Sequence, residues 1–273
     1  LSKNLRANKI EESMKKSIKI ICIMITCLSA ASFGANLANP AAQVGDARLA
    51  FGASYFVNGS TISNDEIPMI MNRIGARASF SPVKYFSIGV DLAAVQVSVD
   101  QYPGSLPFDT VPTFDGKYGV SYGGNLKLTT PYMFDYVALI GIANGNFFRS
   151  ENKLGAYYGG KDAAGVIGLQ VKVPNLGFIS AGPQVYYIEG ENRSYYGEKG
   201  TYSNINNLRG WIAFDYFPPV SILDEKVQPY FSVEFTMSPK INTSSRVRVQ
   251  EFSVAVSLGS ISPRLYGMDK HAE

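Results

Sequence analysis

Past residue 34 the chain has no cysteine, since both of its cysteines, Cys22 and Cys27, lie near the start. The remainder therefore has no disulfide framework and no thiolate metal site. Histidine is almost as scarce: the single residue, His271, is third from the end. Acid–base catalysis through an imidazole has no candidate in the body of the chain. No apolar run reaches the roughly 18–20 residues of a membrane-spanning helix. An excess of one charge is missing too. The 25 Lys+Arg and 22 Asp+Glu become 19 and 20 once the six and two within residues 1–34 are set aside, a net charge of −1. A nucleic-acid partner, which needs a clustered basic face, is not expected.

The longest apolar stretch, 18–28, has the marks of an export signal. Lys15, Lys16 and Lys19 precede or open it, and Ser29, Ala30, Ala31, Ser32 and Gly34 supply small residues for cleavage. Residues 14–34 are expected to be a signal peptide, cut near Gly34, and 1–13 an upstream extension that is not native. Acylation at Cys27 is the rival reading, which Thr26 and the small residues after Cys27 fit poorly.

What is present from there on is alternation. Apolar residues recur at every second position, though weakly in the seventh, in ten segments, about 47–57, 69–80, 86–99, 117–128, 136–148, 162–173, 177–188, 206–217, 227–237 and 245–258. Segment four is the clearest, with Tyr118, Val120, Tyr122, Leu126 and Leu128 on one face and Ser121, Asn125 and Lys127 on the other. Two segments need a phase slip, at Val95 and near Glu251, for which a β-bulge is the expected cause. Pro183 lacks a ladder donor and suggests another bulge. In segment five Ile140 and Ile142 are expected on the outer face, with Val137 and Leu139 inside. Short turns follow segments two, four and six, a somewhat longer link follows segment eight, and mostly long polar links join the rest.

An even strand count, short links alternating with long ones and one apolar face per strand predict a closed antiparallel up-and-down transmembrane β-barrel over residues 35–262, with a tail at 263–273. Alternate side chains then face lipid and a polar lumen. Aromatic residues gather at both segment ends: Tyr85, Phe86, Tyr132, Phe134, Tyr136, Tyr216 and Phe217 by the turns, and Tyr55, Phe56, Phe147, Phe148, Tyr157, Tyr158, Tyr186 and Tyr187 by the loops. They are expected to form two interfacial girdles.

On this pattern the chain resembles the small OmpA-like and OmpW-like bacterial outer-membrane barrels, without a signature residue of either. The resemblance implies an outer-membrane location, periplasmic termini, contact with outer-membrane lipid and with the barrel-insertion machinery, and no cofactor. One departure is the polar tail after Ser262, where many such barrels end on an aromatic residue. It puts the insertion signal in question or moves it inside, near Phe252 to Leu258.

Two motifs tempt and fail. Gly119-Val120-Ser121-Tyr122-Gly123 matches the hydrolase elbow but lies inside a strand, with no helix after it. Gly155 to Lys161 approximates a phosphate loop, yet Asp162 stands where Ser or Thr should hold magnesium. The lone tail histidine also sets aside the barrel phospholipases, deacylases, palmitoyl transferases and omptin-like proteases. No catalytic, cofactor or metal site is expected.

The inward charges are the remaining candidates. Arg48, Arg73, Arg77, Lys127, Arg209 and Arg248 face Asp91, Asp215 and Glu234, either as a structural ion-pair network or as the lining of a small pore. Three roles stay open. The first is a structural, adhesive or surface-contact barrel acting on an unidentified ligand through loops such as 100–115 and 189–203. The second is a narrow conduit lined by Val137, Leu139 and Trp211. The third is a soluble exported β-sandwich that binds a ligand.

Overall fold

The structure, a computed structural model, describes residues 45–62, 67–101, 103, 113–174, 176–218, 227–239, 241–242, 248–249 and 251–265. The leader lies outside the described residues, as does the tail beyond Leu265; at its start Leu265 donates to the Ala47 carbonyl and Arg264 pairs with Asp46.

Ten strands form the wall: β1 (Arg48–Ile62), β2 (Ile67–Val83), β3 (Phe86–Val99), β4 (Gly119–Thr129), β5 (Val137–Glu151), β6 (Tyr157–Val173), β7 (Gly177–Arg193), β8 (Leu208–Tyr216), β9 (Gln228–Met237) and β10 (Phe252–Ile261). Each pairs antiparallel with its chain neighbour, and β10 returns to pair with β1 from Ala50↔Ile261 to Gly59↔Phe252. Closure leaves no edges and rules out a two-sheet sandwich. Followed one way round from Ser54, the ladder reaches Gly190 of β7; followed the other way it reaches Phe178 of the same strand, a stagger of 12 residues. With usual strand spacings this corresponds to a tilt of about 40°.

The strands differ in length. β8, β9 and β10 have 9, 10 and 10 residues, near the roughly 9–11 that cross a bilayer. β2, β6 and β7 have 17 each. Tight turns join β2 to β3 and β6 to β7 at one end, so the surplus projects at the other, the loop end. A short strand, Lys199–Ser203, continues this extension by pairing with β7, and Phe114–Asp115 pairs with β3. Much of the predicted loop sequence at 58–67, 149–161 and 189–203 is thus sheet.

Nearest the turns, the wall follows the predicted facing. Phe51, Ile74, Ile88, Val90, Leu92, Val120, Leu126, Ile167, Leu169 and Ile212 form an exposed apolar belt, while Ser79, Ser87, Asn125, Lys127, Gln170 and Ser232 are buried inside. Water would not tolerate such a belt at this density, whereas lipid covers it.

Several expectations are corrected. β2 and β3 pair without a break from Met69↔Val99 to Phe80↔Ile88, so Val95 marks no bulge; the one register shift lies by the turn, between Phe80 and Val83. Val95, Val97 and Val99 instead face inward, 0%, 0% and 1% exposed. Pro183 makes no bulge either, because Val166↔Gln184 and Leu169↔Ala181 share one register. Gly168 and Gly182 face each other there, and a Cβ on either would strike the opposite backbone within 2.5 Å, so the two strands close on each other across bare glycine. In β5 the facing is reversed: Ile140 and Ile142 are buried inside, and Leu139 is exposed. The slip expected near Glu251 falls on 243–247 and 250, which lie outside the described residues.

Candidate functional site

The lumen is crossed by side chains from opposite walls. Arg73 on β2 donates to both carboxylate oxygens of Asp162 on β6, at 2.6 and 3.0 Å. Its guanidinium lies between the rings of Phe56 and Phe148, 5.2 and 5.6 Å from their centroids. Arg77 pairs with Asp91 on the neighbouring strand, and Asn125 donates to the other oxygen of that carboxylate. Arg209, fully buried on β8, donates to Asn58 (2.7 Å) and Ser60 (2.9 Å) of β1 and to Glu251 (3.1 Å), while stacking on Tyr186. Glu251 also accepts from the Thr61 amide at 2.7 Å. Asp215 accepts from Ser232, and Glu234 from the Trp211 indole at 3.2 Å. Lys127 is buried among this polar set.

The Arg73–Asp162 pair and the bonds from Arg209 to Asn58 and Ser60 each tie two strands that are not neighbours. Removing one partner would strand a charge in a dry interior. Between Arg73, Arg77, Asp91, Ser121 and Asn146 a cavity of about 30 Å³ remains, the space of about one water.

Of the nine predicted charges, seven belong to this interior: Arg73, Arg77, Asp91, Lys127, Arg209, Asp215 and Glu234. Arg48 is half-exposed at the turn end of β1. Arg248 is not in the wall at all; it pairs with Asn242 in a separate two-stranded hairpin, and its side chain lies outside the described residues. Two acids were missing from the predicted set. Asp162 sits in phase with the inward Ala164 and Val166, a legible signal. Glu251 lies just outside a strand, where alternation gives no guidance.

Apolar residues close both ends of this polar middle. At the turn end the rings of Tyr132, Phe178, Phe217 and Tyr230 form a contact chain. Towards the middle Trp211 packs with Ile140, Ile142, Val166 and Ala213. At the loop end a larger core joins Ile62, Met69, Met71, Val97, Phe114 and Ile188 with others. This corrects the loop-side girdle. Tyr55, Phe147 and Tyr187 do face outward, but Phe56, Phe148, Tyr158 and Tyr186 are buried inside. Val137 and Leu139, the expected conduit lining, belong to the outer face, and only Trp211 of that trio points in.

The outer wall carries a different feature. On β5, β6 and β7 a groove of about 820 Å³ is lined by Phe147, Arg149, Lys161, Tyr187, Glu189 and Glu191, among others. Lys161 pairs with Glu189 at 2.5 Å, Arg149 pairs with Glu151, and Tyr187 donates to Glu189. Phe147 and Arg149 form the ridge towards a second groove of about 650 Å³ beside Lys117, Tyr118 and Tyr122. No cluster of metal-binding side chains occurs among the described residues.

No protein-family model and no curated protein matches the chain. Solved barrels do. The translocator domain of the autotransporter NalP from Neisseria meningitidis is similar at a TM-score of 0.45 and 8% identity, over 93% of this chain and 98% of that one. The outer membrane protease OmpT from Escherichia coli is similar at 0.39 and 11%, over 78% and 95%. The monoaromatic hydrocarbon channel CymD is similar at 0.28 and 10%, over 80% and 89%. By its own ladder this chain is a closed, ten-stranded antiparallel barrel. The three similarities are of architecture, and none bears on its activity.

Proposed function

We propose that the chain is an exported outer-membrane protein whose role is surface contact, carried by the loop-end extension. In this reading the turns and termini are periplasmic, the barrel contacts outer-membrane lipid after assembly by the insertion machinery, and no catalysis is involved. One observation carries it. The extension has an apolar core of its own, so the hairpin tips above the belt stand on packed sheet. Leu154 at one tip, and Tyr195 and Tyr196 at another, are exposed large apolar residues. Gly155 and Gly197 adopt positive φ (85° and 92°), which lets those tips turn tightly. Exposed aromatic residues on a fixed support are a common basis for recognition.

A conduit is less well supported. Arg209, Arg73 and the loop-end core would all have to move before anything larger than water could pass.

Labelling on intact cells tests the placement. The chain past the leader lacks cysteine, so Tyr196→Cys gives a single site. A membrane-impermeant maleimide should label it without lysis, and labelling only after lysis would refute the proposed orientation. In planar bilayers the folded protein should give no steady single-channel current; a reproducible open level would favour the conduit.

A further inference from the structure

We propose that the outer wall of β5–β7 binds one glycolipid of the outer leaflet, with the sugar headgroup in the 820 Å³ groove and an acyl chain on the wall below it. The inference rests on the membrane reading above. Its first support is level. On each of the three strands six uncharged, mainly small or apolar outward positions precede the first outward charge. They are Val137 to Phe147 before Arg149, Val173 to Ala163 before Lys161, and Gly177 to Tyr187 before Glu189. About ten residues of tilted strand cross the hydrocarbon, so the groove opens at its upper boundary.

The second support is the surface beneath. Gly141, Ala143, Gly145, Ala163 and Gly165 cluster on the outer face, with Ala143↔Gly165 and Gly145↔Ala163 directly paired. A Cβ at Gly141 or Gly165 would meet nothing within 4 Å. A smooth trough therefore leads from the lipid zone into the groove, flanked by the exposed Ile167 and Val185.

The third support is charge. The groove's two cations, Arg149 and Lys161, face carboxylates Glu151, Glu189 and Glu191, and ion pairing already engages both. A phosphate would have to displace those carboxylates. Sugar hydroxyls both donate and accept, so they match a lining of ion-paired donors and acceptors without breaking it. The rings of Phe147 and Tyr187 offer apolar faces to the sugar's C–H groups. Gly159, in register with Arg149 on one side and Glu191 on the other, leaves bare floor between those two side chains.

Native mass spectrometry of the full chain in detergent provides the test, with digalactosyldiacylglycerol, phosphatidylglycerol and phosphatidylcholine of matched chains as probes. One galactolipid should be retained at least about tenfold more tightly than either phospholipid. Gly159→Trp should abolish that preference. Its Cβ meets the Phe148 carbonyl at 3.4 Å, an ordinary contact, so the ring can fill the floor. Tyr187→Ala should weaken retention and serves if the first variant fails to fold. Equal retention of all three lipids, or unchanged preference in a folded variant, would overturn the proposal. So would displacement by free digalactose at the concentration of the lipid. A chain soluble without detergent would instead overturn the membrane reading on which it rests.

Discussion

β3 passes through two regions of this molecule and changes sides between them. At Ile88, Val90 and Leu92 its large apolar side chains face outward; at Val95, Val97 and Val99 they are buried in the lumen. The backbone does nothing unusual, because the ladder to β2 is continuous across the change. What changes is the surroundings. In the belt the outside is apolar, so polar side chains pair inside. In the extension the outside is polar, with Asn72, Gln96 and Ser98 on the outer face, and the apolar side chains pack inside as in a soluble protein. The same pleat serves both regions with opposite sign.

The two interiors should fail differently. The largest effect is expected in the polar interior, where Asp162→Ala leaves Arg73 buried without its carboxylate. The cost should be about 3–5 kcal/mol, read as a lower urea midpoint. In the extension, Met71→Ala removes fully buried apolar volume and should cost about 2–5 kcal/mol. That loss should be local: hydrogen exchange rises around 69–71 and 95–99 while heat-modifiable gel mobility, the mark of the closed belt, persists. Loss of both together would mean that the regions are one cooperative unit.

The boundary itself can be located with lysine. Ile167, 73% exposed in the belt, should lose about 2–4 kcal/mol as Ile167→Lys. Val120 lines the second groove beside the ridge residue Arg149, so Val120→Lys should cost only about 0–1 kcal/mol. Equal costs would place the boundary elsewhere.

The smallest effect concerns Glu251, between the polar set and the loop-end core. Burial raises its carboxyl above the ordinary 4.5, with Arg209 and the Thr61 amide opposing. A raised folded-state value means that the folded chain holds the proton longer than the unfolded one. Stability from this group is therefore full below the unfolded value and is lost as pH rises through the folded value. Glu251→Gln should flatten the pH dependence of the unfolding midpoint just above pH 4.5. A slope unchanged by the substitution would exclude Glu251 as its source.

The sequence alone determined a great deal: ten strands, their order, the tight turns and the outward belt on β1, β2, β4 and β6. Alternation is a local property of the pleat, and a charged or polar residue at every second position fixes its phase. Seven lumen charges were legible for the same reason. Where both phases are apolar, as at Val137 to Ile142, periodicity has no sign, and the packing of Ile140 and Ile142 against Trp211 on β8 decided it. The inversion at Val95 was visible as a pattern but not as a cause, because a bulge and a change of surroundings leave the same trace in one strand. Only the closed tertiary structure distinguishes them. It shows the ladder unbroken and places Phe114 and Tyr158, distant in sequence, in one core with Val97. Which side of a strand counts as inside depends on what the other strands and the solvent place against it, and no single segment carries that information.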